Sequence, residues 1–181
     1  LDLPGTYSLN ANSLDENLVI ELLLNKNDQD YPDVAIVVTE VENLKRNLLL
    51  FTQIKDLEIP TILVINMADQ MERKGISLDI PKLEAVLKTK IALISSRKAT
   101  GINDLKELIV NYKQLSTEAC LNASEIDKEY FENLRRIFPN QQQYKLWLVI
   151  SQDVNFGSIN KAVLQNNTFA KPDSELKHLQ H

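Results

Sequence analysis

Three short apolar runs, each followed by a polar loop and then a helical stretch, constrain this chain more than any other feature. They are Val34-Ala35-Ile36-Val37-Val38-Thr39, Thr61-Ile62-Leu63-Val64-Ile65 and Ile91-Ala92-Leu93-Ile94. Runs apolar at successive positions suit strands buried on both faces, as in a parallel sheet. Helical spacing fills the intervals between them. Leu44, Leu48, Phe51 and Ile54 mark the inner side of a helix over 42–57, stopped by Ile59-Pro60. A short polar helix over 71–74 is broken by Gly75, and Ile80-Pro81 opens a helix reaching Leu87. Leu105, Leu108 and Ile109 face inward from a helix over 103–112. Upstream of the first run, Ser13 with Glu16 forms a capping box that starts a helix ending near Asn25. Strands alternating with helices through short connections predict a parallel sheet covered by helices.

After Leu115 no apolar run of this kind recurs, and the chain turns polar and helical. Ser124-x-x-Asp127 caps a helix carrying Ile126, Tyr130, Phe131, Leu134, Ile137 and Phe138, which Pro139 stops. A second helix spans 141–152, with Trp147 as a core anchor beside Tyr144 and Ile150, and a third short segment covers 159–164. The expected organisation is an α/β domain over residues 1–116, an all-helical domain over 117–165 and a flexible tail over 166–181.

At 181 residues the chain has room for that much and little more. A net charge of −5 gives no basic face for nucleic acid, so none is expected as a partner. The single cysteine, Cys120, excludes an internal disulfide framework and fits a reducing compartment. No apolar run approaches the roughly 18–20 residues that span a bilayer. His178 and His181 sit in a polar tail without further ligands to converge on a zinc ion.

Three loops carry chemistry. The first is Asp2-Leu3-Pro4-Gly5, a D-x-x-G pattern. There a carboxylate holds Mg²⁺, usually through a water, and the glycine N–H reaches a terminal phosphate that any side chain would keep away. The second is Asn66-Met67-Ala68-Asp69, directly after the second run. Its Asp69 carboxylate can accept from guanine N1–H and the exocyclic amine, whereas adenine presents the opposite pattern. A site built for those donors rejects the wrong base because a buried group is left unpaired. Asn66 would bond N7 and brace neighbouring loops, and Met67 would lie along the base face. The third is Ser95-Ser96-Arg97, after the third run. The Ser96 backbone N–H would donate to guanine O6, and the Ser95 hydroxyl would support Asp69. Parallel α/β folds place ligands at the carboxyl ends of their strands, where the second and third loops fall. The order and context of the three predict a sheet like that of the P-loop GTPases, with guanine nucleotide as ligand.

More specific strings sharpen this. Asp2-Leu3-Pro4-Gly5-Thr6-Tyr7-Ser8-Leu9, Asn43-Leu44-Lys45-Arg46-Asn47-Leu48, Gly75-Ile76 and residues 95–102 resemble the cytoplasmic G domain of the ferrous iron transport protein B family, over residues 1 to about 109. The resemblance implies GTP or GDP with Mg²⁺ as ligands, Mg²⁺ being held in part by Asp2. It also implies a helical domain after the G domain and a membrane-embedded iron channel in the same polypeptide. The implied location is the cytoplasmic face of the bacterial inner membrane. Thr6, where many signalling GTPases carry a water-orienting Gln, agrees with that family.

The phosphate-cradling G-x-x-x-x-G-K-[ST] loop is not in the sequence, and in the family it lies upstream of the D-x-x-G loop. Upstream sequence is therefore expected. The chain as it stands is expected to bind nucleotide weakly or not at all and not to hydrolyse it. The residues leave open a non-catalytic G-like interaction module or a soluble ribosome-associated GTPase, and they leave homo-oligomerisation undecided.

Overall fold

The computed structural model describes residues 1–6, 8–9, 14–120, 127–139, 141 and 143–152. Their helices are α1 (Leu14–Leu24), α2 (Leu44–Asp56), α3 (Met71–Lys74), α4 (Ile80–Leu87), α5 (Ile102–Val110), α6 (Lys128–Ile137) and α7 (Gln143–Gln152). The strands are β1 (Ala35–Glu40), β2 (Thr61–Asn66) and β3 (Lys90–Leu93). The expectations placed on Ser13, on Ser124, on 159–164 and on the tail that holds His178 and His181 lie outside the described residues. By compactness the chain divides into one unit of Leu1–Leu9 with Pro32–Cys120 and a second of Asn10–Tyr31 with Leu121–His181.

The first unit is built on a parallel sheet in the order β1-β2-β3. Ala35 pairs with Thr61 and Glu40 with Asn66, while Ile62 pairs with Lys90 and Ile65 with Leu93, so the carboxyl ends of all three strands lie level. β2 is central, and its residues from Thr61 to Ile65 are all buried. α2 packs across β1 and β2, burying Leu44, Phe51 and Ile54. On the core beneath β2 and β3, Ile62, Val64, Ala92 and Ile94 pack with Ile102, Leu105, Leu108 and Ile109 from α5.

β1 departs from the expectation of a strand buried on both faces. Val37 and Thr39 are buried, but Ile36 is 41% and Val38 61% exposed. The reason is positional. Among the described residues β1 is an edge strand, paired on one side by β2, and α2 shields one of its two faces.

Helix ends follow local chemistry. Asp79 caps α4 by accepting from the Lys82 N–H, with Pro81 in the first turn, where a missing N–H costs nothing. Gly75 closes α3 in the left-handed region. In the second unit Asp127 itself caps α6, accepting from the Tyr130 N–H at 3.1 Å. Tyr130, Phe131 and Leu134 are buried along α6, and Phe131 meets Trp147 of α7 at 6.0 Å between ring centres. Lys145 donates to the Leu24 carbonyl at the end of α1, a cation where the helix leaves carbonyls open. Among the described residues no helix is long and apolar enough to cross a membrane.

Candidate functional site

The level strand ends bring the second and third loops together. Asn66 is the last residue of β2, and the following turn drives Met67 into the left-handed region at φ 63°. A non-glycine residue held there is strained, by about 1–3 kcal/mol. The turn persists because the Ala68 N–H donates to the Ile94 carbonyl at 3.0 Å and the Gln70 N–H to the Met67 carbonyl at 2.9 Å. Asp69 is thereby set beside the loop that follows β3.

That loop is closed at its base. Ser95 and Thr100 exchange backbone hydrogen bonds of 3.0 and 3.2 Å, and Gly101 follows at φ 74°. A Cβ on Gly101 would stand 2.3 Å from the Leu93 carbonyl oxygen, so only glycine fits where α5 begins.

The Ser95 hydroxyl, 1% exposed, donates to the Asp69 carboxylate at 2.7 Å and accepts from the Lys98 N–H at 3.2 Å. This bond holds the Asp69 carboxyl below the ordinary carboxylate range, with Lys98 and Arg97 adding favourable charge. Asn66 is engaged at both ends of its carboxamide. Its Oδ1 accepts from the Ser96 N–H at 3.1 Å, and its Nδ2 donates to the Ser96 hydroxyl at 3.1 Å. The serine side chain thus supports the Asn66 contact, beyond the backbone donor foreseen from the sequence. Arg97 is exposed at the loop tip.

Asp2 and Gly5 lie apart in character from this bonded cluster. Both are exposed, and a Cβ on Gly5 would meet nothing within 4 Å. The loop gains its fixed point further on, where Leu9 is buried and its N–H donates to Gln53 Oε1 at 2.8 Å.

The structure brings further residues to the site, among them Asn43, Arg46 and Asn47 of the family-like string 43–48. A cavity of about 310 Å³ lies at the carboxyl ends of β1 and β2, lined by Val38, Thr39, Glu40, Asn43, Arg46, Asn47 and Asn66. Asn47 donates to the buried Thr39 hydroxyl at 2.8 Å, and Asn43 donates to the Glu40 carboxylate at 3.0 Å. Two asparagines four residues apart therefore fasten the start of α2 to the end of β1. The signal was present in the paired asparagines that follow Thr39-Glu40.

Fold and loop placement define the class, a parallel α/β domain of the G-domain kind. The chain belongs to the ferrous iron transport protein B family, whose model matches residues 1–109. It is 38% identical over 108 residues to the Fe(2+) transporter FeoB of Leptospira biflexa, covering 60% of this chain and 15% of that protein. It is also 38% identical over 117 residues to the Escherichia coli K12 Fe(2+) transporter FeoB, covering 62% of this chain and 15% of the relative. The chain thus spans about 15% of the length of these relatives. Among solved structures, the cytosolic domain of L. pneumophila FeoB superposes with a TM-score of 0.76 at 27% identity, covering 99% of this chain and 74% of that one. The T. maritima FeoB cytosolic domain in its GMPPNP form gives 0.80 at 25% identity, covering 99% and 73%.

Proposed function

We propose that this chain is the guanine-nucleotide-reading portion of a ferrous iron transporter, on the cytoplasmic face of the bacterial inner membrane. GTP binding and hydrolysis would there gate Fe²⁺ uptake through a membrane-embedded channel of the same polypeptide. The observation that carries the reading is the bonded cluster of Asn66, Asp69, Ser95 and Ser96 at the ends of β2 and β3. Asp69, ionised and steadied by Ser95, accepts from guanine N1–H and the exocyclic amine. The Ser96 N–H turns from Asn66 to guanine O6, and Met67 and Arg97 flank the base. Solved relatives in GDP and GMPPNP forms support guanine nucleotide as the ligand.

The D-x-x-G loop suits the phosphate end. The space around Gly5 admits an oxygen close to its N–H. Mg²⁺ keeps several waters and takes one or two protein carboxylates beside substrate phosphates. The exposed Asp2 supplies one such oxygen, and the ion would neutralise phosphate charge. The edge of β1, with Ile36 and Val38 exposed and a polar cavity at its end, would receive a further strand and its phosphate-cradling loop. Residues 117–165 would act as a helical domain carrying the change at the D-x-x-G loop to the channel.

A titration with fluorescent GDP and ADP tests the reading. In the natural polypeptide with its upstream sequence, GDP is expected to bind at least about 100-fold more tightly than ADP. Asp69→Asn is expected to remove most of that preference, because its amide places a donor against the N1–H. Equal affinity for the two nucleotides in the unsubstituted protein would sink the proposal.

A further inference from the structure

The final turn of α2 holds both points where the chain leaves the first unit. The unit is made of Leu1–Leu9 and Pro32–Cys120, so Leu9 and Cys120 are each the last residue before the chain departs. Their backbone N–H groups end on the same helical turn. The Leu9 N–H donates to Gln53 Oε1 at 2.8 Å, and the Cys120 N–H donates to Asp56 Oδ1 at 2.7 Å. Residues three apart on a helix are neighbours on its surface, so the two acceptors sit side by side. Between them in sequence is Lys55, fully buried, whose ammonium donates to the Ser116 carbonyl.

The second departure is fastened further. Lys88, held at φ 51° at the end of α4, reaches Glu118 at 2.5 Å and the Ala119 carbonyl at 3.1 Å. The Cys120 thiol donates to the Leu87 carbonyl at 3.3 Å. Residues 116–120 are thus a strap tied down by side chains of α2, by Lys88 and by the Leu87 carbonyl, where no strand or helix would hold them. Leu9 is tied as firmly, with its side chain 1% exposed. A buried lysine and a buried aspartate in one turn are costly to desolvate and are kept in place by the bonds they make. A shift of this turn therefore strains bonds at both departures.

We propose that the last turn of α2 is a shared anchor coupling Leu9, at the end of the D-x-x-G loop, to the strap of residues 116–120, with Gln53 and Asp56 as its positioning residues. The coupling is a property of the first unit alone. It requires no nucleotide and stands or falls separately from the guanine reading.

The test uses the ligand-free 181-residue chain and its only cysteine as a reporter. Gln53→Met removes the acceptor for Leu9 while keeping the side chain's length. It is expected to raise the rate at which an aromatic disulfide reagent modifies Cys120 by about threefold to tenfold, the worth of one net hydrogen bond. Gln53→Glu keeps an acceptor and is expected to stay within about twofold of the unsubstituted rate. In the reverse direction, Asp56→Asn weakens the bond to Cys120, and amide exchange at Leu9 is expected to rise. If Asp56→Asn fails to fold, Lys88→Met, which frees Glu118 and Ala119, is read in its place. Ile59→Val lowers stability through the core and touches neither bond. An unchanged Cys120 rate in Gln53→Met, or an equal acceleration in Ile59→Val, would overturn the proposal. Faster Leu9 exchange without faster Cys120 modification would show two independent fastenings and overturn it as well.

Discussion

Ser95 and Ser96 are adjacent and do different work. Ser95 is buried and its hydroxyl stabilises the ionised form of Asp69, whose folded pKa lies below the ordinary value. For such a group the favourable bond is present above the unfolded pKa and is lost as pH falls through the folded one. Ser95→Ala is therefore expected to return the Asp69 titration toward the ordinary value of about 3.9, read by carboxyl carbon NMR shifts. On the proposed guanine reading, base recognition by Asp69 should then fail at higher pH than in the unsubstituted protein. Ser96 is exposed, and its hydroxyl holds the Asn66 carboxamide against the Ser96 N–H, the group that the proposed reading assigns to guanine O6. Ser96→Ala removes one of the two bonds in that contact. In the natural polypeptide it is expected to tighten GDP binding about twofold to fivefold, from the net worth of a single exposed hydrogen bond. Weaker GDP binding would mean that the serine hydroxyl supports the bound state instead.

At the scale of elements, the loop after β3 depends on a single residue that has no side chain. Gly101 combines a left-handed backbone with a 2.3 Å approach of any Cβ to the Leu93 carbonyl. Neither can relax without moving β3 or the start of α5. Gly101→Ala is expected to cost more than about 2 kcal/mol, which for a chain of this size lowers the Tm by about 4–8 °C. A Tm unchanged within 1 °C would show that the loop yields more easily than its close packing implies. Much of this level was legible in the sequence. The apolar runs at 34–39, 61–65 and 91–94 became β1, β2 and β3 within one or two residues, because a run of that length between breakers has few alternatives. What escaped was set by neighbours and not by local pattern. Val38 reads as a core residue, yet which strand sits at an edge is a property of pairing order. Asn43 and Asn47 have no stated role beyond the family-like string until β1 places Glu40 and Thr39 beside them. Nor does sequence order reveal that the helix at Leu14–Leu24 groups with the residues after Cys120.

For the molecule as a whole, the two faces of β1 ask different things of nearly identical residues. Val37 is 6% exposed and shielded by α2, while Val38, one residue on, is 61% exposed. Replacing valine by threonine changes volume little and adds a hydroxyl, so it isolates the cost of burying a polar group. In the 181-residue chain Val37→Thr is expected to cost about 1–3 kcal/mol in denaturant unfolding. Val38→Thr should stay within about 0.5 kcal/mol, as surface substitutions do. The same pair becomes a probe of the larger protein. If a further strand and its helix cover β1 in the natural polypeptide, Val38 is buried there and Val38→Thr should cost about as much as Val37→Thr. Amide exchange along β1 should slow in the longer chain too, because the edge that is unpaired among the described residues would then be paired. A Val38→Thr cost that stays near zero in the longer polypeptide would show that no further strand is assembled on this edge. The role given above to the cavity beside Asn66 would fall with it.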